Sequence, residues 1–245
     1  MFDLTSPWPL GLNRGNWPRY AVGFGMLLAI VTGLDAWASQ GAIHWPDALR
    51  WPFQVITDYG LSDWVLYPSL LVFGLSRFAM LVFQRWARIA ALEVSQIAAF
   101  IFIGVGLPGL LSNLLKRIIG RGRPEVFGSE GAFSFQQFAN DWTHQSFPSG
   151  HATTAIALAF ICGFLWPRSF KPLVLIGLVV AISRVPVGMH YPTDVLGGAV
   201  MGALGAYGVR LFFASKGWLF SKQPDGTITR RPDSLLRRFY TRARR

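Results

Sequence analysis

The chain has 245 residues, of which 52% are hydrophobic and only 14% charged, with a mean hydropathy of +0.37. That balance excludes an ordinary soluble domain and points to membrane spans. The net charge of +11 is carried between apolar runs and at the C-terminal end rather than on one amphipathic surface, which argues against a nucleic-acid binder.

Residues 1–19 contain Pro7, Pro9, Pro18 and the acid Asp3, with no apolar core of a cleavable signal. They are expected to form an N-terminal cytoplasmic or interfacial segment, so that the first span is its own insertion signal. Six apolar stretches follow, near Tyr20–Trp37, Leu61–Phe83, Ile89–Leu115, His151–Trp166, Pro172–Val187 and Asp194–Phe213. A bilayer core about 30 Å thick takes roughly 20 apolar residues per helix, so the fourth and fifth stretches are short. Trp17, Trp37, Trp64, Trp86, Trp166 and Trp218 fall near the proposed ends, where an indole favours the interface. Between the first two spans, residues 38–60 mix Trp45, Trp51, Phe53 and Tyr59 with prolines and polar groups and are expected along the outer interface.

The fold class predicted is all-α, a six-transmembrane helix bundle over residues 20–215, followed by a basic cytoplasmic tail over 216–245. Within that tail Leu235, Leu236, Phe239 and Tyr240 recur at helical spacing beside Arg237, Arg238 and Arg242. A helix resting on anionic headgroups and a solvated tail are equally compatible with this pattern. With six spans both termini share a side, and that side carries most of the Lys and Arg. The positive-inside rule makes it cytoplasmic. Cys162 is the single cysteine and lies in an apolar run, so no intrachain disulfide forms.

Three polar clusters interrupt the apolar pattern. Lys116-Arg117-Ile118-Ile119-Gly120-Arg121-Gly122-Arg123-Pro124 ends the third span. Phe147-Pro148-Ser149-Gly150-His151 opens the fourth. Ser183-Arg184-Val185-Pro186-Val187-Gly188-Met189-His190-Tyr191-Pro192-Thr193-Asp194 joins the fifth to the sixth. Up-down threading brings all three to the outer ends of helices 3–6, far apart in sequence but on one face.

Lys116, Arg123 and Arg184 supply cations, and guanidinium forks match phosphate oxygens. Ser149 and Gly150 offer free backbone N–H groups at a positive helix end. Together they predict a phosphate cradle, which stabilises charge on a transferring phosphoryl group. Asp194, four residues after His190, is placed to hold Nδ1–H and leave Nε2 free to attack phosphorus. His151 is placed to protonate a leaving alkoxide and then activate water. The pattern therefore predicts a phosphohistidine intermediate and requires no metal or other cofactor.

These residues resemble the three-part signature of the type 2 phosphatidic acid phosphatase superfamily, which includes lipid phosphatases and vanadium haloperoxidases. Lys116, Arg123-Pro124, Pro148-Ser149-Gly150-His151, Ser183-Arg184, His190 and Asp194 match each defined position. The resemblance implies His190 as nucleophile, His151 as acid/base, and Lys116, Arg123, Ser149, Gly150 and Arg184 as phosphate ligands. It implies a lipid phosphate phosphatase, expected in a bacterial inner membrane with its site on the periplasmic face. Undecaprenyl diphosphate, phosphatidylglycerol phosphate, phosphatidic acid and lipid A phosphate are the plausible substrates. A phosphotransferase passing the group from His190 to a non-water acceptor is the alternative, and a non-enzymatic anion transporter leaves the paired histidines unexplained.

Outside the signature, His144 is expected as a solvated loop residue, and Arg77 and Glu93 as a structural pair. The loop Val126–Trp142, with Phe127, Phe133, Phe135, Phe138 and Trp142, is read equally as an interfacial anchor or as a guide for a lipid chain.

Overall fold

The computed structural model describes residues 3–138 and 140–231. Helices α1 (Trp17–Ile43), α2 (Asp47–Asp58), α3 (Asp63–Val82), α4 (Arg85–Ile119), the single turn α5 (Phe127–Glu130), α6 (Gly150–Leu165), α7 (Phe170–Ile182) and α8 (Pro192–Ser215) follow in chain order. A two-stranded antiparallel hairpin, β1 (Phe220–Lys222) and β2 (Ile228–Arg230), ends the described chain.

Four stretches among the described residues are long and apolar enough to cross a membrane: Trp17–Gly41, Asp47–Val82, Trp86–Ile119 and Pro192–Ser215. The other two predicted spans are the 16-residue α6 and the 13-residue α7. Both fall short of a bilayer thickness by themselves. Helix α6 is buried over most of its surface against α4, α7 and α8, so protein rather than lipid surrounds it. Its apolar composition is that of a core helix. The fifth stretch, expected to run to Val187, leaves the helix at Ser183, where a series of hydrogen-bonded turns begins. By contrast α1 and α3 turn Leu34, Trp37, Leu71, Leu75, Phe78 and Leu81 outward, the distribution of helices that face hydrocarbon.

Local chemistry fixes the helix ends that matter. Helix α4 stops at Gly120, whose φ of +65° closes the turn with its N–H donating to the Lys116 carbonyl. The Ser149 hydroxyl accepts the Ala152 N–H and caps α6. Pro192 occupies the first turn of α8, and the Asp194 carboxylate accepts the Tyr191 N–H at 2.9 Å. Close contact between α6 and α8 depends on Gly198 and Gly202. A β-carbon there would stand 2.3 Å from the Ser149 carbonyl oxygen and 2.4 Å from that of Thr153. Small residues at this spacing let two backbones touch, as in membrane helix pairs generally.

At the opposite end of the bundle lies the main core, where Phe100, Phe160, Phe164, Tyr207, Phe213 and Phe220 pack in edge-to-face and tilted pairs. Here the structure departs from the sequence reading. Residues 220–230 were expected within a free basic tail but form the hairpin, because Leu219, Phe220 and Ile228 bury their side chains in this core. Arg210 of α8 is buried and donates to the carbonyls of Leu4, Ser6 and Pro7. The Ile228 N–H donates to the Thr5 carbonyl at 2.7 Å, so the segment around Thr5 and the hairpin close over the same core. Glu93 pairs with Arg230 at 3.2 Å rather than with Arg77, which contacts Met80 Sδ at 3.7 Å. The amphipathic tail segment around Leu235–Tyr240 lies outside the described residues.

Candidate active site

The three polar clusters meet at one end of the bundle. Lys116 reaches from the last turn of α4, Ser149, Gly150 and His151 open α6, and Arg184 and His190 flank the turns between α7 and α8. Lys116, Arg123, Ser149, Arg184, His190 and Asp194 are all buried, and Gly150 and His151 are half-buried. Lys116, Arg123 and Arg184 lie within electrostatic reach of His151, and Lys116 and Arg123 within reach of His190. A β-carbon at Gly150 would stand 3.5 Å from Lys116 Nζ, which places the ammonium at the N-terminus of α6. The Ser149 N–H donates to the Asp194 carbonyl at 2.9 Å and ties the second cluster to the third.

Each guanidinium is held by groups that leave part of its fork unused. Arg123 Nε donates to the Trp142 carbonyl at 3.0 Å and the guanidinium lies 4.4 Å over the Trp142 ring. Its remaining contacts, to Met189 and the Gln145 carbonyl, are long at 3.5–3.6 Å. Arg184 Nη1 donates to Thr57 Oγ1 at 2.8 Å, while its Nε is buried without a protein partner. Burial, with the charge of Arg123, pushes the Arg184 pKa down to about 10 despite Asp58 nearby. Buried cations with unspent donors form a strong anion site.

His190 Nδ1 faces Asp194 Oδ2 at 3.5 Å, within ion-pair range though not aligned as a hydrogen bond. Such contacts often tighten only when substrate is bound. Asp194 is itself held from both sides. Arg121 Nη1 donates to Oδ1 at 2.7 Å, and Ser146 Oγ and the Tyr191 N–H donate to Oδ2. Burial pushes the His190 pKa down to about 3; Asp194 opposes this, and Lys116 and Arg123 add to it. The resting imidazole is therefore neutral, the form that has a free lone pair.

Several residues around the site were not singled out by sequence. Arg121 had been grouped with the other cations of its cluster, yet it turns away from the cradle toward Asp194 and toward Asp35 of α1. Asp35 was readable as the one carboxylate inside the first apolar span, a position that normally marks function. Helix α2 was read only as part of an interfacial segment. It nonetheless brings Thr57 to Arg184 and Gly60 against His151, and Arg50 donates to the carbonyls of Pro186 and Val187 at 3.3 and 3.0 Å. A segment expected along the interface thus roofs the site.

His144, expected as a solvated loop residue, is buried, with Nε2 2.9 Å from Glu130 and Nδ1 3.0 Å from Thr143 Oγ1. It holds the loop together because its acidic partner lies 14 residues away in sequence, a contact that spacing does not reveal. That loop folds back on the first cluster: Gly122 N–H donates to Ser134, Gln136 N–H to Gly120 and Phe138 N–H to Arg117. Phe133, Phe135, Phe138 and Trp142 are left exposed beside the site.

Histidines and buried cations gathered at one end of a helical membrane bundle are an arrangement compatible with phosphoryl transfer. The comparisons with known proteins agree. The PAP2 superfamily profile matches residues 97–218, and the chain belongs to that superfamily. It is similar to a lipid A 1-phosphatase of Rhizobium johnstonii, 39% identical over 77% of this chain and 78% of the relative. It is also similar to phosphatidylglycerophosphatase B of Bacillus subtilis, 31% identical over 66% and 71% of the two chains. Among solved structures, a transmembrane PAP2-type phosphatidylglycerolphosphate phosphatase from Bacillus subtilis shares the fold, with a TM-score of 0.54 over 82% of this chain and 97% of that one, at 24% identity.

Proposed function

We propose that the protein hydrolyses the phosphate of a membrane lipid through a phosphohistidine on His190, at the outer face of a bacterial inner membrane. The observation that carries this reading is the convergence of Lys116, Arg123 and Arg184 on His151, with Lys116 and Arg123 also within reach of His190, in one largely buried cluster.

The phosphate sits among the three cations and the N–H groups that open α6. His190 Nε2 attacks phosphorus as the bond to the lipid oxygen breaks, and the charge on the equatorial oxygens falls on fixed donors. The negative charge of the bound phosphate offsets the cations around His151 and favours its protonated form, which gives its proton to the leaving oxygen. His151 then takes a proton from water as that water attacks the phosphohistidine, and the P–N bond breaks to release inorganic phosphate and neutral His190. Asp194 offsets the positive charge that the His190 ring carries while Nε2 is bonded to phosphorus. The three cations neutralise the substrate, so no divalent metal enters the reaction.

Charge distribution supports the orientation. Six-span threading puts Arg50, Lys116, Arg117, Arg121, Arg123 and Arg184 on the outer side; all but Arg117, which is exposed, are taken up by the proposed site or its surroundings. The Rhizobium relative makes a lipid A 1-phosphate the first substrate to try, with phosphatidylglycerol phosphate and undecaprenyl diphosphate beside it. Purified protein assayed with this panel in the presence of a chelator is expected to release phosphate from at least one lipid, and His190→Ala to release none. Full turnover by His190→Ala, or dependence on an added divalent ion, would contradict the reading.

A further inference from the structure

Asp35 and Arg121 lie outside the phosphate cradle but connect α1 to the His190–Asp194 pair. Arg121 uses its whole fork. Nη1 donates to Asp194 Oδ1 at 2.7 Å and Thr193 Oγ1 at 2.6 Å, and Nη2 to Asp35 Oδ2 at 2.8 Å. Asp35 also accepts the Thr193 N–H at 3.0 Å and lies 2.6 Å from the Thr193 hydroxyl. The Ala132 carbonyl takes the remaining Arg121 donors at 3.2 and 3.0 Å, and the Tyr191 ring stacks on the guanidinium at 4.4 Å. Asp35 and Asp194 are 0% exposed and Arg121 4%. Burial would lower the Arg121 pKa, but the two carboxylates outweigh it and raise it above the ordinary value.

Such a cluster is costly to assemble where lipid or protein replaces water, and an apolar replacement would pack as well. A guanidinium bonded to Asp194 alone would leave that carboxylate with little charge for the imidazole. Asp35 offsets the cation from its far side, so the buried group of three carries a net single negative charge directed at His190 Nδ1.

We infer that Asp35 and Arg121 are positioning residues for the phosphoryl-transfer step, acting through Asp194 to orient His190 and stabilise the positive charge its ring acquires. Arg121 fixes Oδ1, which turns Oδ2 toward Nδ1 at 3.5 Å. Asp35 fixes Arg121 and preserves the negative charge of Asp194. Helix α1, otherwise an apolar helix on the edge of the bundle, is thereby part of the catalytic apparatus.

The inference rests on the proposed His190 chemistry, and its test keeps the two separate. Purified Asp35→Asn and Arg121→Lys are compared with the parent for kcat, KM and the inhibition constant of inorganic phosphate, which reports the cradle. The expected result is a kcat at least 30-fold lower in each, with KM and phosphate inhibition within about twofold, and partial recovery of kcat in Asp35→Glu. Unchanged kcat overturns the inference, as does a loss of phosphate inhibition in step with kcat, which is what collapse of the pocket produces. Thr193→Val keeps the volume and removes the hydroxyl shared by Arg121 and Asp35. It is expected to lower kcat about tenfold by the same criteria, and it decides the matter should Asp35→Asn not fold. His190→Ala runs alongside: activity there removes the proposed function itself, whereas an inactive His190→Ala with a fully active Asp35→Asn removes only the role of the buried cluster.

Discussion

At His190 the protein keeps an imidazole neutral in a place where cations surround it. Its folded pKa of about 3 lies below the ordinary value of 6.5, chiefly through burial. Between those values the unfolded chain binds a proton that the folded chain does not. The stability this neutral ring allows is therefore complete above about pH 6.5 and is lost as pH falls toward 3. Thermal unfolding followed from pH 7 to pH 4 is expected to show a falling midpoint, with a shallower fall in His190→Asn; equal slopes would argue against a buried neutral ring. Arg184 gives a second prediction. Lysine in its place keeps the charge but loses the fork that spans Thr57 and the pocket, so KM is expected to rise roughly 10- to 100-fold, the range for one charged hydrogen bond. An unchanged KM for Arg184→Lys would leave the guanidinium without a role in binding. The eight residues that gather at one end of the bundle could be picked out in the sequence because phosphate chemistry, the role proposed for them, needs recognisable side chains at recognisable intervals. Arg121 was visible but ambiguous, since a cation two residues from Arg123 reads as one more cradle ligand until its partner in α1 is known.

Among the elements, α2 and the α6–α8 pair decide the shape of the site. A β-carbon at Gly60 would lie 2.8 Å from both Cβ and Cδ2 of His151, and unlike a surface contact this one cannot relax without moving the His151 side chain. Gly60→Val is expected to lower kcat at least tenfold while the bundle remains folded by helical signal and melting. Activity equal to the parent would show that α2 stands off from His151. Gly202→Val should instead push α8 from α6, at a cost of about 1–3 kcal/mol typical of overpacking, seen as a lower melting temperature together with reduced activity. Hydropathy located the long helices well, because lipid-facing Leu and Phe repeat along them. It missed α2 as a structural part of the site, since an amphipathic helix of 12 residues with Pro52 inside carries too little pattern to fix its place. It also took residues 220–230 for tail, because three buried side chains, Leu219, Phe220 and Ile228, are too few to stand out among the surrounding charges.

Across the whole molecule the two ends of the bundle do different work. One is an aromatic core closed by the segment Leu4–Pro7, held through Arg210, and by the hairpin; the other is a buried polar cluster covered by α2 and bordered by the exposed aromatic loop. The proposed orientation places that pocket outside the cell membrane. A cysteine at Gln136, in a chain with Cys162→Ala, is expected to react with a membrane-impermeant maleimide in intact spheroplasts, and reaction only after lysis would reverse the topology. The central claim is the covalent step. Purified protein mixed with a lipid carrying a labelled phosphate, then quenched in alkali, is expected to hold the label in an acid-labile, alkali-stable bond on the peptide containing His190, and to lose it in His190→Ala. Label absent from the parent while phosphate is released at the full rate, or found on a different residue, would contradict the account.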